Sequence, residues 1–107
     1  MRPLAALLLL ALPGCATSAA GLGASNVELT LESAKPARVV AACLSQSLVG
    51  TNPMTEIADD HFVVIRQNLY QIPIIRWDII GTPTGSRLEL RYSARIATGD
   101  DKARACL

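Results

Sequence analysis

The chain of 107 residues has little of the residue chemistry on which most catalytic and metal sites depend. It contains one histidine, so a zinc site with two histidines is excluded. It also lacks a Cys-x-x-Cys pair, a Gly-x-Ser-x-Gly nucleophile turn, and a lysine after the glycines of the loop "GTPTGS". These motifs mark dithiol redox proteins, α/β-hydrolases and phosphate-binding loops. We therefore expect no enzymatic activity and no cofactor.

The sequence also lacks a surplus of charge and a long apolar run. Charged residues make up 18% of the chain, the formal net charge is +1, and no segment is strongly basic, so nucleic-acid binding is not indicated. The longest apolar run, Leu4 to Leu12, would reach only ~14 Å as a helix, about half of the ~30 Å hydrocarbon core. It is too short to span a bilayer permanently.

The first fifteen residues are typical of a secretory signal peptide. Arg2 adds a positive charge, the apolar run follows, and Pro13-Gly14 breaks the helix directly before Cys15. The segment Leu12 to Cys15 resembles the lipobox of bacterial lipoproteins, which has an aliphatic residue three positions before the cysteine and small residues between them. Pro13 departs from the usual pattern.

This resemblance implies cleavage before Cys15 and lipidation of that residue, with a diacylglycerol on its sulfur and an acyl chain on its new amine. Two or more acyl chains anchor a protein stably. In such lipoproteins aspartate after the cysteine favours the inner membrane, so Ala16 favours the periplasmic side of the outer membrane. Cleavage after Ala20, which would release a soluble periplasmic protein, and an uncleaved N-terminal anchor are the alternatives.

The chain divides into three parts by composition. Residues 1–14 are the predicted signal peptide, residues 15–26 are the lipidated cysteine with a flexible tether, and residues 27–107 are one small domain. The tether is rich in Gly, Ala and Ser and would span ~20 Å as a random coil.

Apolar periodicity predicts an α+β domain. The predicted order is strand, helix, three strands and a short helix, over residues 27–32, 36–49, 61–66, 72–80, 87–96 and 99–107. This order predicts an antiparallel sheet of about four strands, covered on one face by one helix. The arrangement resembles small, poorly characterised envelope lipoproteins of proteobacteria, and this resemblance implies no active site.

Cys43 and Cys106 are the two thiols that remain once Cys15 is acylated or removed. An even pair in a small exported domain predicts a disulfide. The bond would close a loop of about 63 residues and stabilise the domain by ~4 kcal/mol. The alternative is that one or both cysteines are small buried hydrophobes.

Arginines recur on the outward face of the last two predicted strands. Against Asp78 and Glu89 they would leave a patch of about +2 that suits an anionic lipid or an acidic envelope protein. Cross-strand ion pairing on a solvated face is the alternative. The predicted patch consists of Arg76, Arg87, Arg91 and Arg95.

His61 and Trp77 are the other candidate functional residues. A catalytic interpretation would orient His61 by Asp59 or Asp60 and use a serine of the helix, Ser45 or Ser47, as nucleophile. The simpler interpretation of "TEIADDH" is a polar loop that enters a strand. Trp77 lies between Ile75 and Ile79 in the alternation, which predicts core packing rather than ligand stacking.

The sequence thus predicts a non-enzymatic structural or interaction module of the cell envelope. It would be held in the membrane by the acyl chains on Cys15 and would meet an envelope protein or an anionic lipid. The alternative is a periplasmic binding module for a small apolar or anionic ligand, which an apolar cavity between helix and sheet would favour.

Overall fold

The computed structural model of the chain describes residues 19–47, 53–92 and 100–107. Within these residues it has three helices and five strands. In chain order they are α1 (Ala19–Gly23), β1 (Leu29–Ser33), α2 (Ala37–Ser47), β2 (Met54–Ala58), β3 (His61–Gln67), β4 (Pro73–Thr82), β5 (Gly85–Tyr92) and α3 (Asp100–Ala105). None of these helices has the length and apolar character needed to cross a bilayer.

The strands form one antiparallel sheet in the order β1-β5-β4-β3-β2. The predicted α+β class and antiparallel sheet are confirmed, but the sheet has five strands rather than about four. The additional strand is β2, in the segment interpreted as a polar loop. It lies at the sheet edge and most of its side chains are exposed, so its sequence shows no apolar alternation.

The core lies between one face of the sheet and α2. Trp77, Phe62 and Leu44 are among its fully or almost fully buried side chains, and α2 adds Val40 and Ala41. The core packing predicted for Trp77 is confirmed. Pro36 precedes the helix and its carbonyl accepts hydrogen bonds from the amides of Val39 and Val40, as a proline at a helix start allows.

The turn from β1 into α2 is fixed against the start of β5. Ser86 is buried and its hydroxyl donates to the carbonyl of Lys35 over 2.9 Å. Gly85 has a φ of 151°, and a Cβ there would lie 2.0 Å from the carbonyl oxygen of Ser33. Only glycine therefore permits this close approach of the two strands.

Tight turns join the strands of the sheet. "GTPTGS" is shorter as a loop than predicted, since only Pro83 and Thr84 lie outside β4 and β5. Asp59 and Asp60 form the turn between β2 and β3, with Asp60 at a φ of 56°. The register between β3 and β4 shifts beside Pro73, which is a usual position for proline in a sheet because proline has no amide hydrogen to donate to the ladder.

The second face of the sheet is covered in part by α1. This helix contacts β4 and β5, and its Leu22 is fully buried. Residues 19–26 of the predicted flexible tether are therefore part of the folded domain, and the expectation that helix covers only one face of the sheet is wrong. Cys15, which is predicted to be lipidated, and Arg95, at the end of the last predicted strand, lie outside the described residues.

The end of the chain is held to α2 through two cysteines. Cys106 follows α3 directly, and its sulfur lies 2.06 Å from that of Cys43 on α2, which is the length of a disulfide bond. The two cysteines lie 63 positions apart along the chain, and they are the pair for which the sequence predicts a disulfide. The ammonium of Lys35 donates to the carbonyl of Cys106 over 3.4 Å and adds a second contact between the chain end and the start of α2.

Candidate functional site

The candidate site lies on the sheet face opposite α2, where the alternation of β4 places Asp78. The residues on either side of it, Trp77 and Ile79, point into the core, so Asp78 points away from the core. A carboxylate in this position is ordinarily exposed. Asp78 is only 1% exposed, because α1 and the long side chains of neighbouring strands cover it.

Three cationic or potentially cationic side chains converge on Asp78. Arg76 makes a two-pronged contact, from Nε to Oδ2 and from Nη2 to Oδ1, both over 2.9 Å. Arg91 Nη1 donates to Oδ2 over 2.8 Å, and Nε2 of His61 lies 2.8 Å from Oδ1. These four residues form what we call the Asp78 cluster. Charge-assisted hydrogen bonds of this length are the strong class.

The cluster keeps Asp78 ionised despite its burial. Burial alone would raise the pKa of this carboxyl, but the hydrogen bonds from Arg76 and His61 and the positive charges of Arg76 and Arg91 outweigh it. The pKa of Asp78 is therefore lowered below its ordinary value. Each carboxylate oxygen already accepts two contacts, so the carboxylate is saturated by its own neighbours rather than offered to a ligand.

The predicted arginine patch is thus largely an internal network. The side chains of Arg76 and Arg91 are only 14% and 15% exposed, and both pair with Asp78. Arg87 is more open, at 41%, and pairs with Glu89 over 3.2 Å. Of these ion pairs, Arg91–Asp78 joins two strands, whereas Arg76–Asp78 and Arg87–Glu89 each lie within one strand. The alternative of cross-strand ion pairing therefore describes Arg91, and the pairs around Asp78 are buried rather than solvated.

The pairing of β1 with β5, which was not predicted from the sequence, adds a carboxylate to this face and reduces the expected surplus of positive charge. In register, Glu32 of β1 lies opposite Arg87 and Thr30 lies opposite Glu89. Along β1, β4 and β5 the face then has three arginines and three carboxylates. The positive patch expected from four arginines is not formed by the described residues alone, and Arg95 lies outside them.

The N-terminal segment closes over the Asp78 cluster. A Cβ at Gly23 would lie 2.6 Å from Nη1 of Arg76, so the absence of a side chain allows α1 to approach the guanidinium. Two residues later, the carbonyl of Ser25 accepts a hydrogen bond from Nε of Arg91 over 3.1 Å. The small residues of this segment, which indicated a flexible tether, instead allow close packing.

The catalytic interpretation of His61 does not match the structure. His61 contacts Asp78, which was not among its candidate partners, while Asp59 and Asp60 form the preceding turn. Ser45 and Ser47 belong to α2, on the other face of the sheet. Ser47 donates to the carbonyl of Cys43 over 2.7 Å. The simpler interpretation, a polar loop that enters a strand, holds for Asp59 and Asp60, which turn into β3 at His61, but it is wrong for the residues before them, which form β2.

A second notable surface is the turn between β3 and β4. Leu69 is 98% exposed, Tyr70 is 83% exposed and Ile72 is 37% exposed. We call these three residues the apolar tip. These side chains were not among the candidates from the sequence, although two large apolar residues within a turn between strands are unusual and are a signal for such a surface.

A solvent-open depression of about 390 Å³ is lined by Glu32, Ser33, Ala34 and Thr84. Within residues 19–47, 53–92 and 100–107, no three side chains of the His, Cys, Asp and Glu type are gathered as metal ligands.

Comparison with known proteins gives no assignment: the chain matches no protein family, no curated protein and no solved structure.

Proposed function

We propose that this protein is a lipid-anchored, non-enzymatic structural or interaction module on the periplasmic side of the cell envelope. The observation that carries the proposal is the leader: a charged start, a nine-residue apolar run, and Leu12 three positions before Cys15. Acyl chains on Cys15 would hold the domain at the membrane. Ala16 favours the outer membrane over the inner one.

The disulfide supports export. Cys43 and Cys106 lie at bonding distance, and structural disulfides persist in oxidising compartments such as the periplasm but are rare in the cytosol. A domain of this size has a small core, so a covalent link between α2 and the chain end is a substantial part of its stability. The link would form only after the chain had left the cytoplasm.

The position of α1 supports cleavage at Cys15 rather than after Ala20. Cleavage after Ala20 would remove the first two residues of α1, whose Leu22 is buried against the sheet. Cleavage before Cys15 leaves the whole helix in the mature protein. Only four peptide steps then separate the lipidated residue from Ala19.

The charged residues support a structural role. The His61–Asp78 pair, which resembles part of a catalytic arrangement, is bound by Arg76 and Arg91. The groups that would act as acid or base are therefore engaged in joining β3, β4 and β5 to each other.

The alternative, a binding module for a small apolar or anionic ligand, has less support. The space between α2 and the sheet is filled by buried side chains, including Trp77 and Phe62. The opposite face is partly covered by α1, and its arginines face carboxylates of the same domain.

The experiment that tests the anchor is metabolic labelling with radioactive palmitate, followed by separation of membrane and soluble fractions. We expect label on the wild-type chain and none on Cys15→Ser, which should also lose membrane retention. Cys43→Ser is the matched control, because it removes a thiol without changing the leader and should retain the label. Equal labelling of wild type and Cys15→Ser would contradict the proposal.

A partner is best sought through Arg87, the most exposed arginine of the sheet face. If an anionic envelope partner contacts this face, Arg87→Glu should weaken its co-purification at least about tenfold, since a like charge in a contact typically costs over 1.4 kcal/mol. Arg91→Glu is unsuitable because it would place a second carboxylate beside buried Asp78. Arg104→Glu, at an exposed position of α3, is the control and should leave co-purification unchanged.

A further inference from the structure

The apolar tip is an exposed surface that the proposed function does not use. Leu69 and Tyr70 have almost no cover from the rest of the domain, and Ile72 beside them is partly exposed. The segment from Gln67 to Pro73 contains no charged residue. Exposed apolar side chains that are grouped, rather than scattered, mark contacts with proteins or membranes.

Asn68 holds the tip in one conformation. Its side-chain oxygen accepts hydrogen bonds from the amides of Tyr70 over 2.8 Å and Ile72 over 3.1 Å. Its own amide donates to the carbonyl of Ile72, and its carbonyl accepts from the amide of Gln71, which has a φ of 63°. The exposed side chains are therefore presented by a hydrogen-bonded turn, which lowers the entropy lost on contact.

The tip lies at the same end of the sheet as the N-terminal segment. Leu29 at the start of β1 pairs with Leu90, and the amide of Glu28 also bonds to Leu90, near the end of β5. That end of β5 is next to the start of β4, which directly follows the tip in the chain. Gly23 of α1 lies against Arg76, three residues or ~10 Å along β4 from its start.

We propose that the apolar tip inserts into the bilayer interface beside the Cys15 anchor, as a second, non-covalent membrane contact. The proposal rests on lipidation at Cys15. The four peptide steps from Cys15 to Ala19 reach at most ~14 Å, so an anchored domain keeps α1 and this end of the sheet close to the headgroups. Leucine and tyrosine suit this depth, because tyrosine is amphipathic and is enriched at membrane interfaces.

The charged residues do not fix the orientation by themselves, since exposed Glu28 lies at the same end of the sheet as the tip and exposed Lys35 lies at the opposite end. Arg66, the nearest charged residue before the tip along the chain, is basic and matches anionic headgroups. The turn between β2 and β3, at the opposite end of the sheet, contains the exposed pair Asp59 and Asp60. With the tip in the interface, this acidic turn points away from the membrane surface.

A membrane contact made by two or three side chains would be weak by itself, but it becomes effective when the domain is already tethered to the membrane. Even a single myristoyl chain gives only marginal membrane binding. The anchor keeps the tip at a high effective concentration near the bilayer, so partial burial of a few side chains is sufficient for insertion. The tip would thereby fix the orientation of the domain rather than its attachment.

The test uses tryptophan fluorescence of the full lipidated chain in protein-free vesicles that contain brominated acyl chains. Tyr70→Trp places a probe in the tip, and Thr84→Trp places a matched probe in the exposed turn at the other end of the sheet. Native Trp77 is fully buried and contributes a constant background. We expect brominated lipid to lower the emission of Trp at 70 at least about twofold and to leave that at 84 unchanged.

Second substitutions at Leu69 identify the cause of the quenching. Leu69→Asp combined with Tyr70→Trp should reduce quenching to the level of the Thr84→Trp probe, whereas Leu69→Met should retain it. Both variants change an exposed side chain, so unchanged thermal unfolding serves as the check on folding.

The outcomes separate the two proposals. A membrane-retained chain whose probes at 70 and 84 are equally unquenched overturns tip insertion and leaves the anchor in place. Quenching that is absent in protein-free vesicles, together with a blue shift at 70 when solubilised envelope proteins are added, assigns the tip to a protein partner and also overturns it. A chain without acylation at Cys15 overturns both proposals.

Discussion

Asp78→Asn is the substitution that tests whether the Asp78 cluster is a buried ion cluster or an ordinary surface network. The amide has nearly the same shape but no charge, and one of its two polar groups donates instead of accepting. Arg76 and Arg91 would then keep their charges in surroundings where their side chains are only 14% and 15% exposed. The substitution therefore leaves two guanidinium groups without their shared counterion.

The expected loss of stability follows from the burial of these two guanidinium groups. Removal of one partner of a buried ion pair costs ~3–5 kcal/mol. Because both arginines keep some contact with water and Arg91 also has Glu89 and the carbonyl of Ser25, we expect the lower end, ~3 kcal/mol. For a domain of this size each kcal/mol shifts the unfolding temperature by ~4–8 °C, so the midpoint should fall by ~12–24 °C.

Glu89→Gln is the matched control. Glu89 lies directly opposite Asp78 in the register of β4 and β5, and the chemical change is the same. Its side chain is 20% exposed, and its contacts with Arg87 and Arg91 are longer, at 3.2 and 3.5 Å. We expect a loss below ~1 kcal/mol, as is usual for pairs near the surface.

Thermal unfolding of the two variants with the disulfide intact, followed by circular dichroism, measures the difference. A similar, small loss of stability for Asp78→Asn and Glu89→Gln would show that the burial of Asp78 has no energetic consequence, contrary to this prediction. A loss of stability that is larger for Glu89→Gln than for Asp78→Asn would show that the ion pairs of Glu89, rather than those of Asp78, contribute most to the stability of the domain.

Three further predictions concern stability. Because the pKa of Asp78 is lowered in the folded state, its contribution to the free energy of unfolding is complete above the ordinary carboxyl pKa of ~3.9 and is lost as pH falls below that value. Urea midpoints measured between about pH 5 and pH 2 should therefore decline more steeply for wild type than for Asp78→Asn. Gly23→Ala forces the guanidinium of Arg76 to move and should cost ~1 kcal/mol, with faster proteolysis of α1; unchanged proteolysis would argue against the tight contact. Replacement of Cys43 and Cys106 by alanine should lower the free energy of unfolding by ~4 kcal/mol, and a variant as stable as wild type would show that no bond forms between them.

The strands with clear alternation were predictable from the sequence. From Ile75 to Ile79 in β4 and from Leu88 onward in β5 the apolar residues occupy every second position. The inward direction of Trp77 and the outward direction of Asp78 follow from this period of two. Helix α2 was also predictable, from its apolar face and from Pro36 at its start. The edge strand β2 does not, because its exposed residues have no periodicity and its pairing depends on β3.

The candidate site was predictable only in part. Alternation placed Arg76, Asp78 and Arg91 on one face, but the burial of that face depends on α1, which forms in a segment whose Gly- and Ala-rich composition indicates a tether. The pairing of β1 with β5, which brings Glu32 to Arg87, is a contact between residues distant in sequence. Local patterns carry no information on such contacts.

The mass of the N-terminal peptide from the membrane-bound protein decides whether Cys15 is the lipidated first residue of the mature chain. We expect this peptide to begin at Cys15 and to have the added mass of a diacylglycerol and an amide-linked acyl chain. A peptide that begins at Met1, or at Gly21 without added mass, would contradict this expectation.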